Sequence, residues 1–175
     1  MYMLPLFCTL VSMAHYPIFD FKADTSLKDW YVVNDGVMGG LSRGSLKLDA
    51  EGYGLFSGKI SLENNGGFSS IRYDCGPIDL KGYRFISLKV KGDGQRYQFR
   101  VKSSRKDYYS YISYFETTGE WQVLKLPLDS MYAVFRGRRL DMPDFSGNVL
   151  EEIGILIGNK KAASFELRID SIGLE

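Results

Sequence analysis

Along most of the chain, apolar and polar residues alternate with a period of two, in short runs broken by glycine and asparagine. That period places successive side chains on opposite faces of an extended strand. It predicts strands over residues 17–21, 30–33, 44–48, 54–62, 68–73, 84–91, 95–102, 108–115, 120–126, 153–157 and 165–174, with no sustained helical period between them. Residues 128–135 read as an irregular segment or one helical turn, and 148–152 as a short helical turn. Within 68–73, Phe68, Ser70 and Arg72 share one face and Ile71 and Tyr73 the other. Within 95–102, Tyr97, Phe99 and Val101 form the buried face, and Gln98, Arg100 and Lys102 the polar one. Gly92-Asp93-Gly94 reads as a hairpin tip and Gly58 as a bulge. So many short strands with tight turns predict an all-β antiparallel sandwich or jelly roll.

Two glycine-rich turns stand out, Asn34-Asp35-Gly36-Val37-Met38-Gly39-Gly40-Leu41-Ser42 and Asn64-Asn65-Gly66-Gly67-Phe68. Glycines in such turns supply positive φ or let backbones approach where a side chain would clash. The first is not a phosphate loop, because it lacks a Gly-Lys-Ser/Thr ending and a strand-turn-helix context.

Composition narrows the function. With 175 residues, 45% of them hydrophobic, the chain suits one core-forming domain over 16–175. A net charge of +1 gives no global field and argues against nucleic acid as partner. His15 is the single histidine, which removes a Ser-His-Asp triad, a Cys-His pair and nearly every common zinc site. With Cys8 in the leader and Cys75 in the body, no internal disulfide is expected in the domain. No cofactor motif is present; Asp20, Asp24 and Asp49 are loop carboxylates of the kind that ligate calcium, without EF-hand spacing.

Residues 1–15 form an apolar leader of export-signal type, with small residues at Ser12-Met13-Ala14. It favours an exported or periplasmic protein over a cytoplasmic one. The positive start expected of such a signal is missing, since no Lys or Arg precedes Lys22, and Met13 is an alternative start. No apolar run reaches the roughly 18 residues of a membrane-spanning helix.

Several motifs in register carry a resemblance. Trp30, Asn34-Asp35-Gly36-Val37-Met38-Gly39-Gly40, Ser42, Gly58, Asn64-Asn65-Gly66-Gly67-Phe68 and Arg72 are followed by Gly92-Asp93-Gly94, Tyr97, Arg100, Phe115, Thr117, Trp121, Pro127, Phe135-Arg136-Gly137-Arg138, Ile153-Gly154 and Phe165. In these the chain resembles the complex I intermediate-associated protein 30 family from about residue 18 to 175. The resemblance implies a galactose-binding-like β-sandwich and a non-enzymatic role: mitochondrial members assist assembly of respiratory complex I. Respiratory-complex subunits are then the implied partners. A carbohydrate-binding module of an exported protein is the alternative, with a glycan as ligand.

The candidate ligand- or partner-binding residues are Asp35, Asn64, Asn65, Arg72, Arg100, Tyr108, Tyr114, Arg136 and Arg138. Arginine forks and asparagine amides give directional hydrogen bonds suited to sugar hydroxyls or a partner's backbone. The competing reading is a structural network in which Arg72 or Arg100 pairs with Asp35 and ties the glycine turns to the sheet. Tyr109, Tyr111 and Phe115 are expected to share one packed face, which leaves Tyr108 and Tyr114 for contacts. Arg136, Arg138 and Arg139, with Arg105 and Lys106, form local basic clusters that a near-neutral chain most simply keeps as solvated loops.

Overall fold

The computed structural model describes residues 15–175. The apolar leader, with Cys8, therefore lies outside the described residues apart from His15. Thirteen strands carry the fold: β1 (Tyr16–Asp20), β2 (Trp30–Asn34), β3 (Arg43–Leu48), β4 (Gly54–Ile60), β5 (Ser69–Asp79), β6 (Phe85–Lys91), β7 (Arg96–Lys102), β8 (Ser110–Glu116), β9 (Trp121–Pro127), β10 (Tyr132–Phe135), β11 (Arg138–Arg139), β12 (Val149–Ile157) and β13 (Ala163–Leu174). They form two antiparallel sheets. One runs β3-β4-β13-β6-β9, with β1 also on β13; the other, seven-stranded, runs β11-β10-β8-β7-β12-β5-β2.

Alternation explains the layering. Tyr97, Phe99 and Val101 are fully buried, as the sequence predicts, and join Ile71, Ile153 and Ile155 from neighbouring strands. Phe56, Leu88, Leu167 and Ile169 enter the same cluster from the other sheet. Each such side chain contributes about 1.5–3 kcal/mol through burial. Phe19, Phe21, Trp30 and Tyr73 extend the core as an aromatic group, with Trp30 and Tyr73 stacked at 5.0 Å.

Three local expectations are corrected and a fourth is met in part. Gly92-Asp93-Gly94 is not a hairpin tip: β6 pairs with β9 and β13, whereas β7 pairs with β8 and β12 in the other sheet. The turn crosses between layers, and the Asp93 carboxylate anchors it by accepting from the Tyr97 hydroxyl at 3.1 Å and the Glu166 amide at 2.9 Å. Gly58 is not a bulge either; it sits in regular register opposite Gly44 and Phe165, where a Cβ would meet the Arg43 carbonyl at 2.0 Å. Residues 148–152 hold no helical turn, because β12 begins at Val149. Residues 128–135 divide into a single 3-10 turn, Leu128–Ser130, and strand β10.

Candidate functional site

The two glycine turns meet at one buried side chain. Asp35, 1% exposed, accepts the Ser42 amide on Oδ1 at 2.9 Å and the Gly67 and Phe68 amides on Oδ2 at 2.6 and 3.3 Å. Burial pushes its carboxyl up, but the hydrogen bonds from Ser42, Gly67 and Phe68 outweigh that and hold it below the ordinary 3.8. Asn34 repeats the device, taking the Gly44 amide at 3.0 Å and the Ser69 hydroxyl at 2.7 Å on its Oδ1. Asn64 Nδ2 donates to the Gly39 carbonyl at 3.2 Å. The network expected around Asp35 thus exists, but its partners are backbone amides: neither Arg72 nor Arg100 reaches it.

Those arginines lie instead on the outer face of the seven-stranded sheet. The register aligns Tyr31 with Arg72, Arg72 with Gly154, Gly154 with Arg100, Arg100 with Ile112 and Ile112 with Tyr132, one row across β2, β5, β12, β7, β8 and β10. A parallel row pairs Ser70, Leu156, Gln98 and Tyr114. Gly154 leaves the middle of the first row without a side chain; a Cβ there would stand 2.9 Å from the Ile71 carbonyl and 3.4 Å from Arg72 Cγ.

Glu152, buried to 7% exposure, is the buried carboxylate of this face. It accepts the Tyr31 hydroxyl at 2.5 Å, and its other oxygen lies 3.8 Å from Arg72 Nη1. Burial, then the hydrogen bond to Glu152, pushes the Tyr31 phenol above 10.0. Arg100 gains no carboxylate of its own: its one hydrogen bond runs from Nη1 to Gln98 Oε1 at 3.5 Å. Burial and then the charge of Arg72 push it down to about 10, so it stays cationic near neutrality. Lys102, also lowered by burial, donates to the Asp107 carbonyl at 2.8 Å.

Beside this charged row, Gln98, Ile112, Tyr114, Tyr132, Val134 and Arg139 line a groove of about 230 Å³. Its rings are held by cations: Arg96 lies over Tyr114 at 4.3 Å and Arg139 over Tyr132 at 4.4 Å. Gln98 Nε2 donates to the Tyr114 hydroxyl at 3.0 Å.

A family model described as complex I intermediate-associated protein 30 matches residues 19–169. The chain belongs to that family. The mitochondrial complex I intermediate-associated protein 30 of Drosophila melanogaster is 29% identical over 183 residues, covering 90% of this chain and 62% of its own length. That of Mus musculus is 23% identical over 180 residues, covering 90% of this chain and 55% of its own length. The chain therefore spans less than two thirds of these relatives. Among solved structures, the family 11 carbohydrate-binding module from Clostridium thermocellum, in complex with a β-1,3-1,4-mixed-linked tetrasaccharide, superposes with a TM-score of 0.65 at 17% identity, covering 91% of this chain and 94% of its own. An agarase, AgWH50C, gives 0.64 at 11%, covering 92% of this chain and 24% of its own. At such identities the likeness is one of fold, the all-β galactose-binding-like sandwich expected from the motifs.

Within this complex I intermediate-associated protein 30 domain, the nine candidates separate into three places. Asp35, Asn64 and Asn65 stay in the glycine turns. Arg72, Arg100 and Tyr114 come together on the sheet face. Tyr108, 66% exposed, precedes β8 and packs on Phe135 with ring centroids 5.1 Å apart, near Arg136 and Arg138 at the β10–β11 turn. Tyr111 packs on the core as expected, with Tyr109 against its ring and Phe115 buried. Asp49 serves the turn after β3, accepting the Glu51 and Tyr53 amides and facing Arg168. Among the described residues no cluster of metal-ligating side chains occurs. Sequence reasoning missed Tyr31, Glu152, Gly154 and Tyr132. Tyr31 alternates with Trp30 on a strand end, a signal that was legible; Glu152 was hidden by the helical reading of 148–152.

Proposed function

We propose that this domain is a non-enzymatic protein-binding module of the complex I assembly type, and that it holds its partner on the outer face of the seven-stranded sheet. Family membership supports the assembly role, and the cross-strand row from Tyr31 to Tyr132 carries the choice of face. That row combines half-exposed tyrosines, which supply contact area at small entropy cost, with arginine forks that supply direction. The Drosophila and mouse relatives are named for an association with complex I. Affinity purification of the tagged chain from its native cells, read by mass spectrometry, tests this. Respiratory-complex subunits are expected with the unaltered chain and are lost with Arg72→Gln plus Arg100→Gln. Recovery of the chain without such subunits would contradict it.

A second reading, a glycan-binding domain, is favoured by the Tyr114–Tyr132 groove and by a fold neighbour that holds a mixed-linked tetrasaccharide. Titration with that tetrasaccharide separates the two: saturable binding lost in Tyr114→Ala and Tyr132→Ala supports the glycan reading.

A further inference from the structure

The outer face carries more cationic than anionic charge at its centre. Arg72, Arg100 and Lys102 lie together there around a single carboxylate, Glu152. Two of these cations are engaged: Arg72 faces Glu152, and Lys102 is turned to the Asp107 carbonyl. Arg100 forms no ion pair among the described residues and keeps only a marginal bond to Gln98. Its Nε and Nη2 have no hydrogen-bond partner among the described residues and are not fully buried. A half-buried guanidinium with unpartnered donors in a fixed fork is matched by a carboxylate.

The neighbours narrow the source of that carboxylate. Arg100 stands in the row between Gly154, which offers no side chain, and Ile112, an apolar residue almost fully buried on this face. Tyr31 on the edge strand β2 and Tyr114 on β8, 42% and 40% exposed, flank the arginines on either side. A small free anion would leave the exposed Tyr31 and Tyr114 rings uncovered, whereas an extended peptide would cover them while its acidic side chain reached Arg100.

We infer that Arg100 is the anchor of this docking face and that it receives an Asp or Glu side chain from an acidic segment of the protein partner. The inference rests on the partner-docking reading above and specifies what that face recognises. Its probe is a fluorescein-labelled hexaglutamate peptide titrated into the full chain, with hexaglutamine as control, at low and physiological salt. Hexaglutamate binds and hexaglutamine does not, and the affinity falls as salt rises. Arg100→Gln weakens it about tenfold, and Arg100→Lys, which keeps the charge without the fork, falls between. No binding of hexaglutamate, equal binding by Arg100→Gln, or preference for polygalacturonate over the peptide overturns the inference. If Arg100→Gln fails to fold by circular dichroism, Arg100→Lys decides, and undiminished peptide binding by it overturns the inference.

Failure of this reading and of the assembly reading are separable. Should the peptide result fail while the tagged chain still captures respiratory-complex subunits, the acidic anchor alone falls. Should hexaglutamate bind through Arg100 while no such subunit is captured, the anchor stands and the assembly role falls.

Discussion

The carboxylate of Asp35 accepts the backbone amide of Gly67 at 2.6 Å across 32 residues of sequence. With the Ser42 and Phe68 amides it closes the two glycine turns onto each other at the sheet edge that ends in β2 and β5. Asp35→Ala would leave three amides without their acceptor in a buried site, at about 1–3 kcal/mol for the first and less for any that regain water. A loss of roughly 3–4 kcal/mol in chemical denaturation is expected, among the largest for a polar residue here. A loss below about 1 kcal/mol would show that the turns hold without it.

The same carboxylate gives the fold a pH dependence. Its folded pKa lies below the ordinary value, so its contribution is present above the unfolded value of about 3.9 and is lost as pH falls through the folded one. Unfolding free energy should drop below about pH 4, and Asp35→Asn should flatten that part of the curve.

Two glycines exist because of Asp35. A Cβ at Gly40 would lie 2.3 Å from its Cγ, and one at Gly66 would lie 2.5 Å from its Oδ2. Gly40→Ala and Gly66→Ala should each destabilise by about 1–3 kcal/mol. Combined with Asp35→Ala, each should cost less than the sum, because the carboxyl group it collides with is gone and only the residue 35 Cβ at 2.8 Å from position 40 and the Glu63 carbonyl at 3.0 Å from position 66 remain. Additive losses in that cycle would contradict the account.

On the sheet face, Arg72→Ala should cost less than Asp35→Ala. Its side chain is 28% exposed and sits 3.8 Å from a carboxylate that keeps the Tyr31 hydroxyl, so about 1 kcal/mol is expected from thermal or urea unfolding. Adding Tyr31→Phe removes the last partner of Glu152 and should produce a loss larger than the two single effects together.

The β10–β11 connection is a two-residue turn, with Arg136 at φ 47° and Gly137 at φ 75°. Positive φ at both positions suits Asn-Gly better than Arg-Gly. Arg136→Asn should raise stability by up to ~1 kcal/mol. A lowered melting temperature would mean that the cation over the Phe135 ring, 5.3 Å away, outweighs the backbone gain.

The strands were legible where alternation alone decides burial. Tyr97, Phe99 and Val101 show it, since their strand is central and each inward residue meets the core whatever its partner. Pairing was not legible in the same way. A Gly-Asp-Gly connection looks identical whether it returns a strand beside its predecessor or carries it to the other sheet; long-range bonds from Asp93 to Glu166 decide that, and local sequence does not contain them. The site was half legible for the same reason. Arg72, Arg100 and Tyr114 stood out by polarity on strand faces, but Glu152 meets Tyr31 across 121 residues, a contact set by the β2-β5-β12 order. Asp35 could be read as an anchor, but its partners could not, because backbone amides leave no mark in sequence.

The central claim is that the partner sits on the outer face of the seven-stranded sheet. It is tested most directly by placing the photocrosslinker p-benzoylphenylalanine at Tyr114, on that face, or at Val123, 63% exposed on the other sheet, in the native cells. The account predicts a covalent adduct with a respiratory-complex subunit from position 114 and none from position 123. An adduct from position 123 alone would contradict it.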